Sequence, residues 1–201
     1  MHPAPVSDAS LIYRPASWLD RLPLLEMFSV AQPLEVELGS GDGSFLAQWA
    51  EAKPGVNFLG VERLLGRLRK LDRKARRRSL RNVRLLRIEA GYFLEYLLPH
   101  RSTSALHIYF PDPWPKRRHR KYRLVNARFP EIAAQALVEG GIVFLRTDDD
   151  DYFTQMREVF AASPSFAAVE TPADLAAVVT DFERDFNAKG IPTNHAAYRL
   201  K

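Results

Sequence analysis

The sequence predicts an α/β fold in which a doubly wound, mostly parallel seven-stranded sheet carries helices on both faces. Apolar, β-rich segments alternate with segments of helical periodicity along most of the chain. The first predicted strand runs into a glycine-rich turn that opens a helix, as in nucleotide-binding α/β proteins. No linker or internal repeat interrupts the 201 residues, which favours a single domain spanning residues 1–201.

The individual elements follow from apolar spacing and from the turn residues between them. Residues 1–14 are expected to form an arm, and a short helix is predicted at residues 18–28. The next predicted strands are residues 34–38, 57–62, 82–88, 105–110 and 142–146, and helices are predicted at residues 44–51, 64–80, 92–98, 128–137 and 151–162. Residues 166–169, 176–179 and 196–200 are candidates for two further strands.

The charge distribution points to an acidic partner. The formal net charge is +5 and the sequence pI is about 9.6. Residues 63–87 hold twelve Lys or Arg against one acid, and residues 116–123 hold six more. We therefore expect the predicted helix 64–80 and the 116–123 run to contact nucleic-acid phosphates, with binding that weakens as salt rises.

Composition argues against several other classes. Cysteine is absent, so disulfides, a thiolate nucleophile and a cysteine metal site are excluded. The five histidines lack short ligand spacing, and we expect no metal. No apolar segment approaches the roughly 18 residues of a membrane span, and residues 1–10 do not resemble a signal peptide. These features fit a cytoplasmic protein without a membrane partner.

One stretch, residues 107–124, combines a stiff loop with mobile charges. It begins as an apolar strand and continues into Phe-Pro-Asp-Pro-Trp-Pro at residues 110–115. Because a proline disfavours the helical region for the residue before it, we expect Phe110, Asp112 and Trp114 to be held extended. A carboxylate and an indole beside six cations suit a polyanion that carries a planar base. The alternative is a proline-rich surface loop with solvated charges.

The glycine-rich turn indicates a cofactor site. Residues 39–43 have glycine at every second position, which allows positive φ angles and close approach of a ligand. Glu62 ends the next strand, nineteen residues after the turn, where an acid can bind a ribose. Glu37 would repel a pyrophosphate but attract the cationic part of S-adenosylmethionine. Glu89 and Ala90 could reach an adenine amino group, although each acid taken singly could equally be a helix cap or a solvated strand end.

From about residue 34 to its C-terminus the chain resembles bacterial tRNA (guanine-N7-)-methyltransferases. The most specific part of the likeness is Phe-Pro-Asp-Pro-Trp-Pro-Lys at residues 110–116, followed by Arg118, His119 and Lys121. The resemblance implies a class I methyltransferase with a Rossmann-like fold. Such an enzyme would use S-adenosylmethionine to methylate N7 of guanosine 46 in the variable loop of tRNA.

The resemblance also implies roles for individual residues. Asp112 would serve both catalysis and cofactor contact. Together with the turn glycines and strand-end acids, the cofactor-binding residues are expected to be Glu37, Gly39, Gly41, Glu62, Glu89, Ala90 and Asp112. The substrate-binding residues are expected to be Lys116, Asp148, Thr180 and Glu183.

Three features depart from the family pattern. Glu89 stands where the family usually has aspartate before alanine, so its carboxylate is one methylene longer. Arg146 precedes Thr147 and Asp148, where a small residue is more usual. The region before the first strand is short, so we expect any tRNA contact of a longer N-terminal arm to be missing.

The target atom limits the mechanism. Guanine N7 carries a lone pair and no proton, so its methylation needs no obligatory general base. We expect catalysis by positioning, with Asp112 hydrogen bonding the guanine or the cofactor and supporting positive charge on the base. Trp114 is either a stacking platform or a wedge that packs the loop. Asp148 is a candidate for guanine recognition, while the three acids after it suit a helix N-terminus.

Other functions are compatible with parts of the sequence. The same fold could methylate another RNA or a small nucleotide, and a non-catalytic RNA-binding module could retain it. A dinucleotide oxidoreductase is disfavoured by the glycine spacing and by the lack of a second catalytic domain. The sequence does not distinguish a monomer from a homodimer.

Overall fold

The computed structural model describes residues 9–201. Its strands are β1 (Ile12–Tyr13), β2 (Leu34–Leu38), β3 (Asn57–Val61), β4 (Val83–Leu86), β5 (Thr103–Tyr109), β6 (Leu137–Thr147), β7 (Phe166–Val169) and β8 (Asn194–Leu200). They form one sheet in the order β1-β4-β3-β2-β5-β6-β8-β7. Strand β8 is antiparallel to both of its neighbours, and the other pairings are parallel. The predicted doubly wound, mostly parallel sheet is confirmed.

Helices connect these strands. They are α1 (Leu24–Met27), α2 (Leu46–Ala52), α3 (Leu65–Arg77), α4 (Ala90–Tyr92), α5 (Phe129–Ala136), α6 (Asp150–Ala161), α7 (Ala173–Ala176) and α8 (Asp181–Asn187). A π-helical turn, Phe93–Leu97, continues α4, and a 3-10 helix, Arg117–Tyr122, follows β5. Within residues 9–201, no helix is long and apolar enough to cross a membrane.

Strand alternation divides the apolar residues between two cores, one on each face of the sheet. Val36, Leu59 and Leu106 pack with residues of α5, α6 and the π-helical turn in the larger core. Phe58 and Leu85 face the opposite way and pack with α2 and α3 in the second core. Helices therefore cover both faces, as the apolar alternation of the strands requires.

Three details differ from the sequence predictions. The sheet has eight strands and not seven, because residues 12–13, assigned to an arm, pair with β4; the rest of that arm up to residue 8 lies outside the described residues. The helix predicted at residues 18–28 is confined to α1, since Pro23 at its N-terminus disfavours helical geometry for the residue before it. Residues 176–179 form no strand, and two helices, α7 and α8, flank them.

The order of the strands places the site. After β1 at the edge of the sheet, the chain enters the middle of the sheet at β2, proceeds outward through β3 and β4, and then returns to β5 on the other side of β2. In open α/β sheets, ligands bind outside the carboxyl ends of the strands at such a reversal. The segments that follow β2, β3, β4 and β5, together with Glu37 near the end of β2, hold the residues predicted to bind the cofactor.

Candidate active site

A cleft of about 570 Å³ opens at the carboxyl ends of β2 to β5. Six of the residues in its wall are candidates from the sequence analysis: Gly39, Glu62, Glu89, Ala90, Asp112 and Trp114. The structure therefore brings together side chains that lie up to 75 positions apart in the chain. This convergence on one edge is what a parallel sheet imposes on its strand ends.

The glycine turn has the backbone geometry that its sequence predicts. Gly39, Gly41 and Gly43 have φ angles of 82°, 54° and 78°, a region that favours glycine. A Cβ on Gly43 would lie 2.1 Å from a methyl carbon of Leu71, so α3 packs directly on the turn. At Gly39 no atom lies within 4 Å of the Cβ position, and this backbone faces open space that a ligand can approach.

Glu62 ties the turn to the end of β3. One carboxylate oxygen accepts from the Gly41 amide at 3.0 Å and the other accepts from the Leu64 amide at 2.7 Å. The side chain is 7% exposed and still reaches the cleft wall. Each oxygen can accept a second hydrogen bond, so the carboxylate is oriented by the protein and remains able to bind the ribose diol of a cofactor.

Glu37 is a buried acid that lacks a partner at one oxygen. It lies on β2 just before the turn, with 5% of its surface exposed, and its Oε2 has no hydrogen-bond partner among the described residues. Burial raises the pKa of Glu37 from 4.5 to about 8; the Arg146 guanidinium opposes this rise, and the Asp42 and Glu62 carboxylates add to it. A cationic amino group would satisfy the oxygen and favour its ionised form. The site therefore fits the amino-acid end of S-adenosylmethionine.

Glu89 is exposed and caps α4. Its carboxylate accepts from the Gly91 amide at 2.8 Å and the Tyr92 amide at 2.7 Å, so the helix-cap alternative describes part of its role. Glu89 and Ala90 both border the cleft. Their contact with adenine stays a prediction.

The proline-rich loop is not extended at every position predicted from its sequence. Phe110 and Trp114 have φ angles of 50° and 46°, so the expectation that both residues are held extended is wrong. Proline disfavours only the right-handed helical region of the residue before it, and tertiary contacts select the strained left-handed one. Phe110 donates its amide to the Arg146 carbonyl at 2.8 Å, and its ring lies 5.5 Å from the Phe182 ring. The loop thus turns sharply on both sides of Asp112.

The predicted substrate residues occupy different surroundings. Asp112 is exposed in the cleft wall, while Lys116 is exposed just before the 3-10 helix. Asp148 is half-buried directly after β6, the neighbour of β5. Neither Lys116 nor Asp148 borders the cleft as the described residues shape it, and their substrate contacts stay predictions.

Thr180 and Glu183 form a capping box at the start of α8. The Thr180 hydroxyl accepts from the Glu183 amide, and Glu183 accepts from the Thr180 amide, each at 3.0 Å. Both side chains are at least 96% buried. The hydrogen bonds between these two residues account for the burial of both side chains without a substrate. Direct contact of either residue with the substrate stays a prediction.

Arg146 anchors the segment around α7 and α8. The sequence marked it only as a residue that stands where the family usually has a small one. Its guanidinium is 1% exposed, pairs with Glu183 at 2.9 Å and donates to the Val178 and Leu175 carbonyls at 2.7 and 2.6 Å. It also lies 4.4 Å from the centre of the Tyr109 ring. This cation bonds β6 to one group in α7, one between α7 and α8, and one in α8, and so fixes the segment that contains these helices.

A buried polar chain behind the cleft was missed by sequence reasoning. His107 Nδ1 lies 2.8 Å from the Tyr109 hydroxyl, and Nε2 lies 2.8 Å from Glu35, which also accepts from Trp49 at 2.9 Å. Burial raises the pKa of Tyr109 well above 10, so its phenol stays protonated. The two-residue spacing of His107 and Tyr109 on one strand face was the available signal. This row of hydrogen bonds holds Tyr109 in position, and Tyr109 borders the cleft.

The basic surface partly matches expectation. On α3, Leu68, Leu71 and Ala75 are buried and most of the cations are exposed, so the helix presents positive charge to solvent. In the 116–123 run, however, Arg123 is 1% exposed and bonds internally, so the expectation that it contacts phosphate is wrong. Its planar guanidinium donates hydrogen bonds to three separate protein acceptors, whereas a solvated cation would donate to water.

Comparisons with known proteins identify the family of the chain. Residues 31–196 match the family described as "Putative methyltransferase". The tRNA (guanine-N(7)-)-methyltransferase of Geobacter metallireducens is 37% identical over 158 residues, which are 79% of this chain and 72% of that protein. The enzyme of the same name from Aliivibrio fischeri is 32% identical over 179 residues, covering 88% and 74%.

A solved structure supports the fold independently. The 16S rRNA methyltransferase KamB superposes with a TM-score of 0.64 at 16% identity, covering 89% of this chain and 92% of that one. At this identity the likeness concerns the fold alone, which is that of the class I methyltransferases. With the family match over residues 31–196 and the identities to named enzymes, the chain belongs to the tRNA (guanine-N(7)-)-methyltransferase family.

Proposed function

We propose that this protein transfers the methyl group of S-adenosylmethionine to N7 of a guanosine in tRNA, at position 46 of the variable loop. The observation that carries the proposal is the position of Asp112. It lies in the wall of the cleft that fits the cofactor, four residues before an exposed basic run that begins at Lys116. One carboxylate is thus shared between a cofactor site and a surface suited to RNA. A tRNA substrate also favours a cytoplasmic location.

Residues of the cleft wall divide the binding of the cofactor with Glu37, which is not in the wall itself but directly precedes the wall residues Leu38 and Gly39. Glu37 would hold its amino group, Glu62 its ribose, and Glu89 with Ala90 its adenine. When bound, the cofactor supplies an electrophilic methyl group on a sulfonium. The lone pair of guanine N7 forms the new N–C bond as the S–C bond breaks, which leaves a cationic 7-methylguanosine and neutral S-adenosylhomocysteine sulfur.

Asp112 acts by position and charge. No proton leaves N7, so a general base has nothing to remove. An exposed carboxylate at the cleft can accept hydrogen bonds from guanine N–H groups and stabilise the positive charge that grows on the base. Holding the two reactants in line at contact distance supplies the rest of the rate.

The test is a methyl-transfer assay with labelled S-adenosylmethionine and, in parallel reactions, unmodified total tRNA or ribosomal RNA, followed by cleavage specific for 7-methylguanosine. We expect label at one variable-loop guanosine and none on ribosomal RNA. Replacing Asp112 by alanine should lower turnover at least 100-fold, with an unchanged thermal transition and cofactor affinity changed by less than turnover. Asp20→Ala, which removes an exposed carboxylate outside the cleft wall, is the matched control.

Three results would contradict the proposal or the role of Asp112 in it. Label in ribosomal RNA instead of tRNA would identify a different substrate. Binding of tRNA without any transfer would identify an RNA-binding module. A folded Asp112→Ala protein with near-normal turnover would remove the role given to this carboxylate.

A further inference from the structure

Two aromatic side chains meet at the mouth of the cleft. Trp114 is 36% exposed and Tyr122 is 57% exposed, and their ring centres lie 5.3 Å apart. Both residues border the cleft that contains Asp112. His119 adjoins both rings, with its ring centre 5.9 Å from that of Trp114 and 6.1 Å from that of Tyr122. An aromatic pair that is open to solvent beside a reaction cleft is a surface on which a planar ligand can stack.

Arg123 holds this pair in place. Its buried guanidinium donates to the Pro113 carbonyl at 2.7 Å, to Gln155 at 2.8 Å and to Asp151 at 2.6 Å. Pro113 directly precedes Trp114, and Arg123 directly follows Tyr122. One side chain therefore links the backbone segments that carry the two rings. Rings that are already ordered lose little entropy when a ligand binds.

One cation lies beside the pair, and others are exposed on the same short segment. The Lys121 ammonium lies 5.2 Å from the centre of the Tyr122 ring, and Lys116, Arg117 and Arg118 are exposed nearby in the chain. A ring face next to an ammonium matches the two parts of a nucleotide, since the base can stack and the phosphate can pair.

We propose that Trp114 and Tyr122 form an aromatic platform on which the unpaired base entering the cleft stacks, with Lys121 meeting its phosphate. This inference rests on the proposed function in one respect, namely that the substrate is RNA. It decides between the two roles of Trp114 that the sequence left open, because a wedge that only packs the loop would not leave the pair exposed. It also gives Tyr122 a role in substrate binding.

The platform predicts a defined set of effects. Tyr122→Ala should raise the KM for tRNA and the Kd for tRNA by about five- to 150-fold, the range that base–aromatic stacking of 1–3 kcal/mol corresponds to. Tyr122→Phe keeps the ring and should stay within about twofold of the wild type. Tyr96→Ala is the matched control, because Tyr96 is 50% exposed and borders no described part of the cleft; it should also stay within about twofold.

The salt dependence of tRNA binding distinguishes base stacking from charge pairing with phosphate. Because stacking does not release counterions, the ratio of Kd values for Tyr122→Ala and wild type should be the same at 50 and 200 mM salt. The same ratio for Lys121→Ala should shrink as salt rises. Cofactor affinity, measured by calorimetry, should be unchanged in the Tyr122 variants.

The outcomes separate this inference from the proposed function. If the wild type methylates tRNA but Tyr122→Ala binds tRNA normally, the platform is refuted and the function stands. Equal losses in the phenylalanine and alanine variants, or an equal loss of cofactor affinity, would also refute it. If the wild type methylates no tRNA, the proposed function fails, and the same variants and salt series with single-stranded RNA still test the platform.

Discussion

Replacing Glu37 by glutamine separates the charge of this side chain from its shape. Burial raises its pKa from 4.5 to about 8 in the cofactor-free protein. At pH 7 the carboxyl group is therefore mostly protonated when the chain is folded and ionised when it is unfolded. The folded state binds more protons, so the free energy of unfolding falls as pH rises from 4.5 to 8.

The size of this effect follows from the two pKa values. One unit corresponds to about 1.36 kcal/mol, so between pH 5 and pH 7.5 Glu37 should lower the free energy of unfolding by roughly 3 kcal/mol. Glutamine has almost the same shape and does not titrate. Between pH 5 and pH 7.5, the unfolding free energy of Glu37→Gln should therefore rise by this amount relative to that of the wild type. Any difference that the amide itself causes is the same at every pH and does not alter this change.

Urea unfolding of the cofactor-free proteins over a pH series measures this difference directly. Glu35→Gln is an informative control on the same strand. Burial by itself would raise the pKa of Glu35, but hydrogen bonds from His107 and Trp49 lower it below 4.5, so its stabilising effect is lost in acid. Parallel curves for Glu37→Gln and wild type between pH 5 and 7.5 would refute the raised pKa.

The pH dependence of cofactor binding should also report the ionisation of Glu37. If the amino group of S-adenosylmethionine pairs with ionised Glu37, binding releases a proton below pH 8. The Kd should then fall about tenfold per pH unit from pH 6 to pH 7.5, and Glu37→Gln should flatten this dependence. Calorimetry in buffers of different ionisation enthalpy would detect the proton; its absence would contradict the assignment of the amino group to Glu37.

Two further predictions concern the buried ion pair and the basic helix. Arg146→Met leaves Glu183 buried without its partner and should cost about 3–5 kcal/mol in unfolding free energy, while Arg146→Met with Glu183→Leu should recover part of the loss; equal instability of both proteins in urea would contradict a paired role. Replacing exposed Arg73 and Arg77 on α3 by glutamate should weaken tRNA binding more than cofactor binding and reduce its salt slope. An unchanged slope in filter binding would exclude α3 from the RNA surface.

The sheet and the glycine turn could be predicted because their causes are local. Glycine at residues 39, 41 and 43 reflects positive φ angles, and strand alternation marks which side chains enter each core. Helix α3 shows the same agreement, with Leu68 and Leu71 buried as its apolar spacing predicts. These patterns depend on the chain within a few residues of each position.

Pairing across the sheet was harder to foresee. Residues 12–13 form the edge strand β1 and join β4 through two residue pairs, too few for an apolar pattern to appear in the sequence. The segment around residue 176 has strand-like composition, but its neighbours form helices whose ends Arg146 holds. In both cases a distant partner outweighs the local preference.

The sequence by itself determined the class of sheet, the glycine turn, the acids at the strand ends and the motif at residues 110–116 that indicates the family. Only the tertiary structure decided what individual charges and rings do. It buried Arg123 and Arg146, left one oxygen of Glu37 unpaired, and turned Trp114 to meet Tyr122. The physical reason is that burial and pairing depend on groups far apart in the chain, whereas φ preferences and apolar periodicity are properties of neighbouring residues.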